Sequence, residues 1–245
     1  MIVSIKIAGK GNNMEKLKTG RPKLIIFASG SKDGGGSGFE NLVTSKELDA
    51  DIVAVVSNHE YGGVRERAGR LGIKFIHFPP TLSESGKKTW DAEGYKRIVK
   101  EAGAEWVALS GWLKLVKGLD PAKTFNIHPA SLSLLNGQFG GDGMYGRYVH
   151  EAAKEALDNG EIEESGVTMH FVTDEYDRGP AFFEVRVPLT KEMTADEIGK
   201  VVNEAEHKYQ PLITSMVANG EISWDGKEPK TLSVPEGYEF LPPAR

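Results

Sequence analysis

Short apolar runs alternate with helix-like segments along the first half of this 245-residue chain. Each run is a nearly continuous stretch of aliphatic and aromatic residues, which is typical of strands buried on both faces of a parallel sheet. A run, a helical segment and a second run together predict a β-α-β unit. We therefore expect an α/β fold with a Rossmann-like, mostly parallel sheet flanked by helices. The predicted strands are 23–29, 51–57, 73–78, 106–109 and 125–128, and the predicted helices begin near Phe39, at 64 and at 92.

The pattern changes in the C-terminal half. Residues 166–173 and 181–189 alternate apolar and polar side chains, with an Asp-, Gly- and Pro-containing turn between them. This alternation predicts antiparallel strands that bury one face. A further small strand is expected at 221–224.

Two more helices are predicted in this half. The first covers 145–159 and ends at Gly160. A capping signature formed by Thr194 and Glu197 opens the second and longest helix, from Ala195 to about Ala218. Leu212 is among the apolar residues whose helical spacing places them toward the core, and Pro211 is expected to kink that helix. In the first half, residues 79–80 and 83–88 are predicted to form a loop.

Composition narrows the classes of protein. The formal net charge is -5 and the basic residues are scattered, which argues against a nucleic-acid partner. The chain has no cysteine, so disulfides and thiol nucleophiles are excluded. No apolar run reaches membrane-spanning length and the start lacks a signal peptide, so we expect a cytoplasmic protein without a membrane partner.

We divide the chain into an extension (1–22), one domain (23–226) and a tail (227–245). The sequence does not fix the oligomeric state.

A glycine-rich loop, 30–38, follows the first predicted strand and precedes a helix. This order presents backbone N–H groups and a helix N-terminus to a bound phosphate. A flexible surface linker is the alternative, and we favour the anion site. The loop matches neither G-x-G-x-x-G nor a P-loop.

Asn126 and His128 stand at the end of the fifth predicted strand, where parallel sheets bind ligands. An amide can donate a hydrogen bond to an oxyanion, and an imidazole can move a proton near neutral pH. A carboxylate from the distant turn, such as Asp177, can orient the imidazole. Asn-X-His is common by chance, so the hypothesis of acyl-type chemistry depends on these surroundings.

The order and spacing of several motifs resemble those of the folate-dependent formyltransferases, in particular the members that act in purine synthesis. The resemblance covers 23–226, and its most specific part is Asn-Ile-His-Pro paired with a distant Asp-x-Gly-Pro turn. The motifs are Ser29-Gly30, 36–38, 110–116, 126–129, 140–146, 166–172, 177–180 and Glu206-His207.

The resemblance implies a reaction and a role for each group of residues. The formyl group of 10-formyltetrahydrofolate, the co-substrate, would pass to the amine of glycinamide ribonucleotide without a metal. Asn126 would bind the formyl oxygen, His128 would transfer the proton, and Asp177 would hold His128 and raise its pKa. Folate would be bound by Leu113, Lys114, Leu115, Val116, Asn126, Thr173, Asp174, Glu175, Tyr176 and Asp177. The ribonucleotide would be bound by Gly36, Ser37, Gly38, Asn203 and Glu206.

The chain departs from the formyltransferase pattern at the phosphate loop. Members of the family often carry Asn where Gly38 stands, and their loop is shorter. The extra residues 32–35 should bulge outward or add Lys32 to the phosphate site. A folate-contacting Arg also has no match, and Lys87 or Lys88 could replace it. Two alternatives therefore stay open: formyl transfer to an amino-sugar nucleotide, and a Rossmann-like nucleotide-binding module without catalysis.

Overall fold

A seven-stranded sheet forms the centre of the molecule. The computed structural model describes residues 20–32, 34–82, 86 and 88–243. The order of strands across the sheet is β3-β2-β1-β6-β7-β8-β9, in which the first five are parallel and β8 and β9 are antiparallel to their neighbours. The strands are β1 (Lys23–Phe27), β2 (Asp51–Ser57), β3 (Phe75–His77), β6 (Trp106–Ser110), β7 (Thr124–His128), β8 (Glu164–Phe171) and β9 (Ala181–Pro188).

Five α-helices cover this sheet. They are α1 (Ser37–Thr44), α2 (Gly63–Leu71), α3 (Ala92–Ala102), α4 (Arg147–Asp158) and α5 (Ala195–Ala218). The expected fold class, a mostly parallel α/β sheet with antiparallel strands in the C-terminal half, is confirmed. No helix in the described part of the chain combines the length and the apolarity needed to cross a membrane. Most of the expected extension lies outside the described residues, and the division into extension, domain and tail stays a prediction.

Successive side chains of β1 enter two different cores, which explains its unbroken apolar sequence. Leu24 and Ile26 pack with residues of α1, α2, α4 and α5, whereas Ile25 and Phe27 pack with residues of α3. All four side chains are 0% exposed. Because both faces of the sheet are covered here, none of these four positions tolerates a polar side chain without a partner.

Three expectations were wrong in detail. The segment after β3, expected to be a loop, contains a short antiparallel ribbon, β4 (Thr81–Leu82) with β5 (Lys88–Thr89). Residues 221–224 form no strand, and only an isolated bridge joins Ser223 to Ser233. Leu212, expected to face the core from α5, is 43% exposed. The helix continues through Pro211.

The C-terminal tail covers the outer edge of the sheet. The backbone carbonyl of Phe240 accepts a hydrogen bond of 2.8 Å from the Glu184 N–H of edge strand β9. The Phe240 ring packs against Phe183 of β9 and Tyr209 of α5, with centroids 5.4 and 5.7 Å away. The tail therefore pairs part of an edge that would otherwise be open.

The N-terminus of α5 provides a test of the local sequence signals. Glu197 N–H donates to Thr194 Oγ1 and Thr194 N–H donates to Glu197 Oε2, which completes the predicted capping box. We expect Thr194→Ala to lower the free energy of unfolding by about 1 kcal/mol, because a capping hydrogen bond is lost. Urea unfolding measures this change. Thr194→Ser, which keeps the hydroxyl, should stay close to the wild type, and equal losses in both variants would contradict the capping role.

Candidate active site

Strand β7 carries two of the predicted catalytic side chains to one face of the sheet. Asn126 and His128 are two residues apart in a strand, so both side chains point the same way. Asn126 lies directly opposite His170 across the antiparallel β7–β8 pair. This register places His170 beside Asn126.

Asp177 reaches the same place from the turn between β8 and β9. The residue has a left-handed backbone, with φ +52°. The turn folds tightly onto β8, because a Cβ at Gly179 would lie 1.8 Å from the carbonyl oxygen of Phe171. Only glycine fits at that position. The sequence Asp-Arg-Gly-Pro thus builds a turn that holds a carboxylate over the end of β7.

One oxygen of the Asp177 carboxylate lies close to three neighbouring side chains. Asp177 Oδ1 lies 3.3 Å from His170 Nε2, 3.3 Å from Asn126 Nδ2 and 3.6 Å from His128 Nδ1. Its other oxygen, Oδ2, accepts the N–H of Gly141 at 3.0 Å. The structure thus brings Asn126, His128 and Asp177 together, and it places His170 closer to the carboxylate than His128.

Asp177 carries a charge in this cluster. Burial by itself raises the pKa of the Asp177 carboxyl, but the hydrogen bond from His170 and the positive charges of His128 and His170 act in the other direction. Together with the Gly141 N–H they hold that pKa well below its usual range. A buried carboxylate that remains ionised can stabilise a positive charge on either imidazole.

Backbone carbonyls orient both imidazoles. His128 Nε2–H donates to the carbonyl of Phe139 at 2.7 Å, and His170 Nδ1–H donates to the carbonyl of Phe171 at 2.8 Å. Their side chains are only 5% and 3% exposed. Each ring therefore presents its other nitrogen to Asp177, and its orientation is fixed before any ligand binds.

The glycine loop forms a second part of the site. Gly35 and Gly36 both have left-handed backbones, with φ +82° and +84°, and α1 begins immediately afterwards. No side chain caps the N-terminus of α1. Its first N–H groups are therefore available to an anion. Arg67 of α2 supports the loop by donating to the Gly35 carbonyl at 2.9 Å and to Glu40 of α1 at 2.8 Å.

Of the extra residues of this loop, the structure describes Lys32, Gly34 and Gly35, and none of the three lines the cleft described below. Ser31 N–H donates to the Gly34 carbonyl at 2.8 Å and closes a tight turn. Lys32, at the tip of the turn, is exposed. Lys88, considered for the folate tail, belongs to the short ribbon and does not line the cleft either, whereas Lys87 lies outside the described residues.

A cleft of about 460 Å³ joins the catalytic cluster to the glycine loop. Five predicted residues do not line it. Val116, Thr173 and Asp174 line a separate pocket of about 20 Å³, and Leu115 and Glu175 line neither. The predicted site residues that do line the cleft are Gly36, Ser37, Gly38, Leu113, Lys114, Asn126, His128, Tyr176, Asp177, Asn203 and Glu206.

Sequence reasoning missed two polar side chains of the cleft. His150 of α4 and Gln210 of α5 both line it, and each has a buried atom without a hydrogen-bond partner among the described residues. Burial, and next the charge of His128, lower the pKa of His150. The sequence held one indirect signal. A glycine inside a predicted helix, Gly199, indicates that another part of the protein approaches the helix closely at that point. A Cβ there would lie 2.9 Å from the His150 ring.

No group of His, Asp and Glu side chains in the described part of the chain has the arrangement of a metal site. What the cleft offers is an amide, two imidazoles and a charged carboxylate beside an anion-ready helix N-terminus. Such groups can stabilise an oxyanion and move protons. These are the groups that an enzyme of the acyl-transfer type requires.

The chain belongs to the formyl transferase family, because the family model described as "Formyl transferase" matches residues 22–214. A curated relative from Arabidopsis thaliana, "Phosphoribosylglycinamide formyltransferase, chloroplastic", is 32% identical over 83% of this chain and 68% of its own length. The relative from Escherichia coli (strain K12), "Phosphoribosylglycinamide formyltransferase", is 29% identical over 81% of this chain and 88% of its own length.

A solved structure supports the fold independently. The glycinamide ribonucleotide transformylase 1 from Symbiobacterium toebii superposes with a TM-score of 0.71 at 24% identity, over 92% of this chain and 99% of that one. The resemblance that the motifs indicated is confirmed by these comparisons.

Glu206 provides a test of the site in the absence of ligands. Burial raises the pKa of its carboxyl to about 7, and the hydrogen bond from Asn203 Nδ2, at 3.1 Å, offsets part of this effect. Between pH 4.5, the ordinary value of the carboxyl, and pH 7 the folded protein therefore holds a proton that the unfolded chain has released. The free energy of unfolding must fall as the pH rises through this range.

We expect Glu206→Gln to remove this contribution to the pH dependence, because the amide does not titrate. Urea unfolding at pH 5 and at pH 8 measures it: the variant should gain stability relative to the wild type at pH 8 compared with pH 5. Glu204→Gln, an exposed neighbour on α5, is the matched control. Parallel curves for the wild type and Glu206→Gln would show that Glu206 does not hold the proton.

Proposed function

We propose that this enzyme transfers the formyl group of 10-formyltetrahydrofolate to the amine of glycinamide ribonucleotide, a step of purine synthesis. The observation that carries the proposal is the convergence of Asn126, His128 and Asp177 in the same cleft as the uncapped N-terminus of α1. The relatives from Arabidopsis thaliana and Escherichia coli bear the name of this activity.

The reaction requires an oxyanion site and a proton relay. The amine nitrogen of the acceptor forms a bond to the formyl carbon, and the carbonyl electron pair moves to the oxygen. The bond from that carbon to the folate nitrogen then breaks as the carbonyl re-forms. The amine loses one proton and the folate nitrogen gains one, so the overall reaction is neutral in protons.

Asn126 is the donor to the developing oxyanion in this scheme. Its Nδ2 donates one hydrogen to Asp177 Oδ1 at 3.3 Å. His170 Nε2 lies 3.2 Å from the same nitrogen but donates its own hydrogen to Asp177 and cannot accept, so the second amide hydrogen is the one that binds the substrate oxygen. Asp177 thereby keeps the amide in position while its second N–H binds the oxyanion.

His128 is the proton-transfer group. The Phe139 carbonyl and Asp177 hold its ring from two sides. The ionised Asp177 stabilises the imidazolium form. Its Nδ1–H, 3.6 Å from Asp177 Oδ1, supplies the proton to the leaving folate nitrogen, and the neutral ring then takes the proton that the amine loses. His170 lies beside the same carboxylate, with Nε2 3.3 Å from Asp177 Oδ1.

The two substrates have separate binding surfaces. We assign the pterin of the folate to Leu113, Lys114 and Tyr176, which line the cleft beside the catalytic cluster. The acceptor phosphate is assigned to residues 36–38, and the ribose or glycinamide part to Asn203 and Glu206 on α5. Val116 is 4% exposed and packs with the core, so its role is to shape the folate surface from behind.

The chemistry uses only acid–base and oxyanion groups that the chain itself supplies, so we propose that no metal takes part. We also propose that the enzyme works on small molecules in the cytoplasm. The relative from Escherichia coli (strain K12), aligned over 88% of its length, supports an enzyme with small-molecule substrates.

An assay of tetrahydrofolate release with different acceptors tests the substrate. We expect turnover with glycinamide ribonucleotide and none with a panel of amino-sugar nucleotides, because we assign the cradle at 36–38 to the phosphate monoester of the ribonucleotide. Turnover with an amino-sugar nucleotide alone would overturn the acceptor while leaving formyl transfer in place. Release with no acceptor at all would indicate hydrolysis.

His128→Ala should lower kcat by about 100-fold or more, because a positioned acid–base group contributes 100- to 10,000-fold in typical enzymes. The melting temperature should change little relative to this loss. His77→Ala removes an exposed histidine outside the cleft and is the matched control. If His128→Ala retains most of the rate, another group transfers the proton.

Asp177→Asn should lower kcat and move the alkaline limb of the pH–rate profile to lower pH, because the active form is the imidazolium. The ionised carboxylate stabilises imidazolium, so its neutral replacement lets the imidazole lose its proton at lower pH. The profile of kcat/KM measured between pH 5 and 9 shows the shift. An unchanged profile with a reduced rate would assign Asp177 a purely geometric function.

A further inference from the structure

A polar floor, formed by the side chains of Ser110 and Gln210, lies beneath the glycine cradle. A Cβ on Gly38 would lie 2.4 Å from Ser110 Oγ and 3.2 Å from Gln210 Oε1. These two atoms therefore occupy the space that a side chain at position 38 would need. Gln210 Nε2 donates to Ser110 Oγ at 3.1 Å, so the floor is a connected pair.

One atom of this floor has no hydrogen-bond partner in the part of the chain that the structure describes. Gln210 is 1% exposed, and its Oε1 is buried and unpartnered. Buried polar atoms are nearly always hydrogen-bonded in folded proteins. Since Gln210 also lines the cleft, a ligand bound at the N-terminus of α1 can supply the partner.

The chemistry of the amide decides which ligand this is. Rotation about the last side-chain bond exchanges the oxygen and nitrogen of a glutamine in place. In the turned orientation Oε1 accepts the hydroxyl hydrogen of Ser110, and Nε2 presents its N–H groups toward Gly38. Donors next to an uncapped helix N-terminus suit an anion, and a phosphate monoester has oxygens enough for the side chain and the backbone together.

We propose that Gln210 is a phosphate-binding residue and that it makes this enzyme select a phosphorylated acceptor. Ser110 is the positioning residue that holds the amide in the required orientation. Position 38, where formyltransferases often carry Asn, has no side chain here, and an amide from α5 stands at that place instead. This inference rests on the proposed function, because it assigns one contact to its acceptor.

The test compares two acceptors, glycinamide ribonucleotide and the same molecule without its phosphate, in the wild type and four variants, one of which is Ser110→Ala. Gln210→Met keeps the size and removes the amide, Gln210→Glu adds a negative charge, and Gln138→Glu makes the same change at an exposed position outside the cleft. Steady-state kinetics give KM and kcat for each acceptor, and inorganic phosphate is measured as a competitive inhibitor.

We expect Gln210→Met to raise the KM for the phosphorylated acceptor by about 10-fold and Gln210→Glu by about 100-fold, with kcat largely kept. A lost hydrogen bond to a charged group gives the first figure, and repulsion between like charges adds to it in the second. The KM for the unphosphorylated acceptor and the behaviour of Gln138→Glu should not change. Ser110→Ala should raise the KM for the phosphorylated acceptor relative to the unphosphorylated one by a smaller factor. Inhibition by inorganic phosphate should weaken in the Gln210 variants.

Equal changes for both acceptors, or no change for either, would overturn the phosphate contact and leave Gln210 as a packing residue. If the melting curve shows that Gln210→Glu fails to fold, the proposal is judged on Gln210→Met alone, by the ratio of its KM values for the two acceptors. A wild-type enzyme that does not formylate glycinamide ribonucleotide would refute the proposed function instead. In that case phosphate inhibition of folate-dependent turnover still tests Gln210 by itself.

Discussion

The site is organised by one buried negative charge. The Asp177 carboxylate is in contact with an asparagine, two histidines and a backbone N–H, and its side chain is only 11% exposed. A charge removed from water is tolerated when its neighbours supply enough donors and opposite charge. The strained turn around Gly179, the register of β7 against β8 and the loop at Gly141 all serve to bring those neighbours to one point.

The fold could be predicted because its signals are local and repeated. β2 has the bounds that its apolar sequence predicted, and α5 begins at the capping box that Thr194 and Glu197 indicated. The exceptions are informative. The ribbon after β3 consists of two-residue strands too short to show a period, and Leu212 follows a proline in a helix whose apolar stripe is interrupted there.

The catalytic cluster could be predicted in part. Asn126, His128 and Asp177 come together as the motifs implied, although the closest imidazole to Asp177 is that of His170. Cross-strand register decides this, and register depends on contacts that no short motif contains. His150 and Gln210 were missed for a similar reason, because each belongs to the cleft through helix packing rather than through a neighbouring motif.

Helix α5 connects these features. Asn203, Glu206 and Gln210 are three and four residues apart and so share one face, which lines the cleft. Tyr209, next to Gln210, packs instead against Phe240 of the tail. One turn of helix thus contacts the ligand site on one side and the end of the chain on the other.

The tail also has a consequence for how copies of the protein meet. Without Phe240, the Glu184 N–H on the outer edge of β9 would lose its partner, and an unpaired group on an edge strand can bond to another chain. Two molecules that lack this contact can then pair their β9 strands and extend one sheet into the other. The hydrogen bond from β9 to the tail thus opposes pairing between copies at this edge.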